Sequence, residues 1–149
     1  MKRMRAGEGE RLCNDLLNRV TTVESIAGKI DVRAPFVVEE YRTKLSERIE
    51  SMLGGVEVDR TRLATEVALF ADKASINEEL VRLASHITEM RKVLGADEAA
   101  GRRLDFIVQE MNREFNTIGS KANDAEITSL VIAGKGEIEK IREQVQNIE

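Results

Sequence analysis

The chain has 149 residues, 42% of them hydrophobic and 34% charged, with a formal net charge of -4 at pH 7. That length and apolar content suit one globular unit, or a compact unit with an extended arm, while the interspersed acidic balance excludes nucleic-acid binding through a whole-molecule basic field and leaves only a local patch for it. Aromatics at 3%, no Trp and Pro35 as the one proline argue for an all-α chain, and a single cysteine, Cys13, excludes an internal disulfide. With no signal peptide and no run of apolar residues long enough to span a bilayer, the expected location is the cytoplasm.

The first element reads as one helix from about Glu8 to Leu53. Leu12, Leu16, Val20, Val23, Ala27, Ile30, Ala34, Val38, Tyr41, Leu45, Ile49 and Met52 recur mostly at intervals of three and four, which makes one apolar stripe. Pro35 interrupts it: proline removes a backbone donor and crowds the carbonyl four residues back, so a kink or break is expected between Asp31 and Pro35. A helix of this length spans roughly 65 Å, more than a small domain is wide. Residues 1–54 are therefore expected to form a long helical arm, and residues 55–149 a multi-helix bundle.

"LGGVEVD", residues 53–59, supplies permissive glycines for a turn, and Asp59 can cap a short second helix. Ser75 and Glu78 have the spacing of a capping box. The helix after them carries Ile76, Leu80, Leu83, Ile87, Met90 and Leu94 as a coiled-coil-like seam, closed by Gly95 and the connection "GADEAAG". The fourth helix uses Leu104, Ile107, Met111, Phe115 and Ile118, with Gly119 expected as its stop. Asn123 or Asp124 can cap the last helix, whose seam of Ile127, Val131, Ile138, Ile141, Val145 and Ile148 keeps register if Gly134 occupies a core position, where it would let a neighbouring helix come close.

The fourth helix carries an unusual load of hydrogen-bonding side chains. With its seam turned inward, Arg102, Gln109, Arg113 and Asn116 fall near one flank, and Arg103, Glu110, Glu114, Thr117 and Lys121 near the other. Groups at the edge of a buried seam are partly desolvated, where charges and hydrogen bonds have larger consequences. Two readings fit: an interhelical network that fixes register, or a site.

"ADKASINEELVRLASHI", "GRRLDFIVQEMNREFNTIGSKANDAEIT" and "EIEKIREQVQNIE" resemble the C-terminal region of the bacterial YicC family of endoribonucleases, and "MRAGEGERLCNDLLNRV" resembles that family's central region. The resemblance implies metal-assisted cleavage of RNA and a homo-oligomer, a hexamer agreeing with the family. Family members carry an additional N-terminal domain without counterpart in this chain, so Met1 looks like an internal start. "AGKG", residues 133–136, departs from the family in being glycine-rich.

RNA cleavage needs a base, a cation for the phosphorane charge and an acid, and a divalent ion can replace two of them. Within the family-like blocks, Glu78, Glu79, His86, Asp105 and Glu110 are the candidate catalytic residues. Glu78, Asp105, Glu110 and Glu114 are the hard-oxygen ligands available to magnesium or manganese. Arg82, Arg102, Arg103, Gln109, Arg113, Asn116 and Lys121 are the candidate RNA contacts, arginine being suited to bidentate phosphate binding. His86 is the one histidine, the residue type that titrates near neutrality, but a lone histidine at a seam border is as readily a packed structural residue. The alternatives are a scaffold that oligomerises while a missing half acts on RNA, and an RNA-binding module without catalysis. Convergence of Glu78, His86, Asp105 and Arg113 would favour the enzyme, and their scattering the scaffold.

Overall fold

The computed structural model describes residues 6–96 and 101–147, which form five helices and no strand. They are α1 Ala6–Leu53, α2 Arg60–Ala74, α3 Asn77–Leu94, α4 Gly101–Ala122 and α5 Ala125–Gln146. The stretch 97–100 of the α3–α4 connection, and Ile148 of the α5 seam, lie outside the described residues. No helix among the described residues is long and apolar enough to cross a membrane.

The core is built from α1, α3, α4 and α5. Leu16, Val20, Val23 and Ile30 of α1 meet Leu83, Ile87 and Met90 of α3, Leu104, Ile107, Met111, Phe115 and Ile118 of α4, and Ile127, Ile138, Ile141 and Val145 of α5, all in one buried cluster. Burying each such side chain contributes about 1.5–3 kcal/mol, so this cluster holds the bundle together. α4 is central, packed on both α3 and α5, while α1 lies across α3 and α5. Gly134 does fill a core position: it is buried against the Phe115 ring.

α1 has 48 residues and runs as one helix through Pro35, so the break expected there does not occur; it is about 72 Å long at the standard rise. Its core stripe runs from Leu16 to Val37 and thins beyond; Met52, assigned to the stripe by spacing, is exposed because no helix covers the end of α1. Gly54 and Gly55 adopt positive φ, 58° and 99°, and turn the chain back so that α2 runs along the second part of α1. Asp59 caps α2, accepting from the amides of Thr61 and Arg62. Tyr41 of α1 and Phe70 of α2 stack with centroids 3.8 Å apart.

Two boundary expectations are corrected. Ser75 and Glu78 form no capping box: Ser75 is the C-cap of α2 and Ile76 the N-cap of α3, without a side-chain bond. Ile76 must enter the core, and that places the helix start one residue later than a serine cap requires. Gly119 does not stop α4, which continues to Ala122 and ends at Asn123 with φ 47°. Gly119 instead faces Val131 of α5, whose Cγ1 would lie 3.3 Å from an added Cβ.

Candidate functional site

α3 and α4 run antiparallel, so the first turn of α3 meets the last turn of α4. Glu78 and Glu79 occupy the first and Lys121 the last, each favoured there by the helix dipole. Glu79 is 1% exposed and Glu114 3%, the two buried charged residues of the described chain. Buried carboxylates are tolerated only when paired and hydrogen-bonded. Here both are.

Arg82 Nε donates to the two oxygens of Glu114 at 3.1 and 3.0 Å, and its Nη2 donates to Glu79 at 3.3 Å. Lys121 Nζ donates to the oxygens of Glu79 at 3.0 and 3.3 Å. The carboxylates are sealed in, but the cations are not: the side chains of Arg82 and Lys121 are 50% and 42% exposed. Arg82 is held above the ordinary arginine range, first by its hydrogen bond to Glu114 and then by the fields of Glu114, Glu79 and Glu78. Glu78 Oε2 lies 3.8 Å from Arg82 on the outside. His86 completes the cluster, with Nε2 4.0 Å from Glu114 Oε2.

The structure therefore gathers Glu78, Glu79, Arg82, His86, Glu114 and Lys121. The other candidates lie elsewhere on α4. Arg103 pairs with Glu89 farther along the α3 side. Asp105 accepts from Gln109 at 3.1 Å and faces α5, where Arg142, held first by its hydrogen bond to Glu139, also feels the Asp105 charge. Asn116 accepts from Lys135 of α5 at 2.5 Å. Arg102 and Arg113 are exposed and Glu110 is half-buried; no ion pair involves them among the described residues. The two flanks expected of α4 are thus real, one turned to α3 and the other to α5.

This division separates the carboxylates assigned to magnesium or manganese. Asp105 is on the α5 side while Glu78 and Glu114 are on the α3 side, and both oxygens of Glu114 are engaged by Arg82. Among the described residues no three His, Cys, Asp or Glu side chains come together as a possible metal site. Glu78, Asp105, Glu110 and Glu114 do not fit one ion within the single chain.

The burial of Glu79 had a signal in the sequence. It lies three residues after Ile76 and four before Leu83, on the core line itself, so an acid stands where the seam calls for an apolar side chain. Glu114 stands likewise between Met111 and Ile118. An acid at either position is tolerated in the core only when paired, and a paired buried acid is seldom worth more to stability than an apolar residue there.

A family model described as endoribonuclease YicC-like, C-terminal, matches residues 30–149, the span that contains the whole cluster. The chain belongs to the YicC-like endoribonuclease family. It is similar to a probable endoribonuclease YicC of Clostridioides difficile (strain 630), 47% identical over 150 residues that cover 100% of this chain and 51% of the relative. It is also similar to a probable endoribonuclease YicC of Haemophilus influenzae, 37% identical over 146 residues that cover 98% of this chain and 50% of the relative. The chain spans about half the length of these YicC relatives.

Arg33, which no pattern in the sequence singles out, is the centre of a second charged cluster. Its guanidinium donates to Asp124 at 3.1 and 3.0 Å and to Glu40 at 3.0 and 2.8 Å, and lies 2.9 Å from Glu126. No local pattern marks a contact between residues 91 apart in the chain.

Proposed function

We propose that this chain is the helical part of a YicC-type endoribonuclease and that its α3–α4 cluster faces an RNA phosphodiester. One observation carries the reading: two buried glutamates hold two half-exposed cations, Arg82 and Lys121, side by side with His86. Both cations bond the same Glu79 carboxylate, which fixes their heads within a few ångströms of each other. Arg82 and Lys121 can offset charge on a phosphorane, and His86 can take or give the proton at a ribose or leaving oxygen. Glu79 and Glu114 act as positioning residues. The described residues supply no assembled ligand set for magnesium or manganese, so dependence on either ion is tested by chelation.

The scaffold reading is favoured by a different observation. Glu78 and His86 share the α3–α4 cluster but Asp105 and Arg113 lie outside it, and every charge in the cluster has a partner within the chain. In that reading the network fixes helix register, and the exposed Met52, Val56, Phe106 and Ile132 serve self-association into a homo-oligomer such as a hexamer.

Cleavage of a labelled RNA with manganese or magnesium, and then with chelator, separates the two. The parent is compared with Arg82→Gln, His86→Ala, Glu78→Gln, Asp105→Asn and Glu110→Gln, each with a thermal melt. Loss of cleavage in Arg82→Gln and His86→Ala with intact folding supports the enzyme. No cleavage by the well-folded parent under any condition moves the function to the scaffold.

A further inference from the structure

We infer that residues 36–74 form an arm that pivots on the bundle about Pro35 and the Ser75–Ile76 link, with Glu40, Arg33 and Asp124 as the latch that sets its position. The two covalent connections between arm and bundle lie side by side, and each lacks a backbone restraint, although Ile76 itself is anchored in the core. In α1, Pro35 has no N–H to give the Asp31 carbonyl, so the helix is held there by one hydrogen bond fewer. In the returning chain, α2 passes into α3 through two residues; Ser75 is extended, and Ile76 offers the first amides of α3 no side-chain cap. Between these points is a cavity of about 240 Å³ lined by Ala34, Pro35, Ala71 and Ser75 and, against the core, by Ile76 and Ile127. That free volume leaves the two connections room to shift relative to each other.

Beyond its base the arm is bound mainly to itself: it meets the bundle through Val37 of α1 and Phe70 of α2, which pack on the core, and where α2 touches α4. Val67 of α2 is buried but lies outside the main core cluster, and the Tyr41–Phe70 stack ties α1 to α2. Only Val37 of the second part of α1 reaches the core as a buried residue. Such a hairpin moves as one body.

The latch spans the pivot. Glu40 lies seven residues after Arg33, beyond Pro35, and receives both Nη atoms of Arg33 at 3.0 and 2.8 Å. The same guanidinium is fastened to Asp124, the N-cap of α5 in the bundle, at 3.1 and 3.0 Å. Residues seven apart on a helix are two turns apart, about 10.5 Å along the axis, so any bend at Pro35 changes the Arg33–Glu40 separation directly. Breaking that pair releases the arm while Arg33 stays anchored to the bundle.

Spin labels on Met52→Cys at the arm's end and Ile132→Cys on α5, both exposed positions, report the distance across the pivot. Cys13→Ser removes the native thiol and keeps a donor for the Leu94 carbonyl that Cys13 Sγ now bonds. Glu40→Gln is expected to shift part of the distance distribution to a second position with helix content unchanged, and Pro35→Ala, which restores the missing donor, to narrow it to one. Either a Glu40→Gln distribution identical to the parent's, or broadening accompanied by loss of helix signal, overturns the proposal.

Discussion

Gly134 of α5 lies directly beneath the ring of Phe115 of α4: a Cβ built on Gly134 would sit 2.6 Å from two of its ring carbons. Phe115 is fully buried and has nowhere to retreat. Overpacking in Gly134→Ala costs about 1–3 kcal/mol against the roughly 1 kcal/mol that alanine contributes as a helix former, so the variant is expected to lose up to about 2 kcal/mol of stability. Gly136, two residues on, has open space at its Cβ position and is exposed. Gly136→Ala should stabilise by up to about 1 kcal/mol. Denaturant melts of the two variants should move in opposite directions.

The Arg33–Asp124 pair predicts a defined acid limb. Asp124 is held below the ordinary carboxylate range, first by its hydrogen bond from Arg33 and then by the amide of Ile127. The unfolded chain thus takes up its proton at higher pH than the folded one. The stability this group supplies is complete above the ordinary carboxylate value and is lost as pH falls through the lowered folded value. Asp124→Asn retains a capping side chain for α5 but cannot titrate. Its melting temperature should lie below the parent's at neutral pH, and the gap should close on acidification. A gap that stays constant from neutral pH to about pH 2, below the ordinary Asp range, would remove Arg33 from the explanation.

Glu79 and Glu114 separate function from stability. A buried ion-pair network replaced by apolar residues of similar volume is commonly neutral or stabilising, by about 1–4 kcal/mol. In Glu79→Leu with Glu114→Met, the half-exposed Arg82 and Lys121 can turn to water, so the melting temperature should hold or rise. On the proposed reading RNA cleavage should fall, because the two cations are no longer held together. A double variant that melts much earlier than the parent would show that the network itself stabilises the α3–α4 contact.

Arg102 and Arg113 are exposed, so their replacement should leave the fold alone. If they meet phosphate, Arg102→Ala and Arg113→Ala each weaken RNA binding, most at low salt, and lower the slope of log affinity against log salt by about one. Filter binding across a salt series, with melts unchanged, is the check. Unaltered binding would confine RNA to the Arg82 and Lys121 face.

The helices themselves were legible because each is written in local periodicity: the seams of α3, α4 and α5 are spacings of three and four, Asp59 announces its cap, and of the two candidates Asn123 and Asp124 the structure uses Asp124. The two polar flanks of α4 were also legible, since side-chain direction follows from helix geometry alone. The family was legible by resemblance, and the family match agrees with it. What periodicity does not encode is which flank meets which neighbour. Only tertiary packing put α3 against one side of α4 and α5 against the other, which joined Glu114 to Arg82 and Glu79 to Lys121 and left Asp105 on the far side. Helix ends moved for the same reason: the burial of Ile76 overrode a well-spaced serine cap, and contact with α5 kept Gly119 inside a helix that it would otherwise have ended. Arg33 shows the limit most plainly, because a partner 91 residues away is set by how α1 crosses α5 and by nothing in the residues around it.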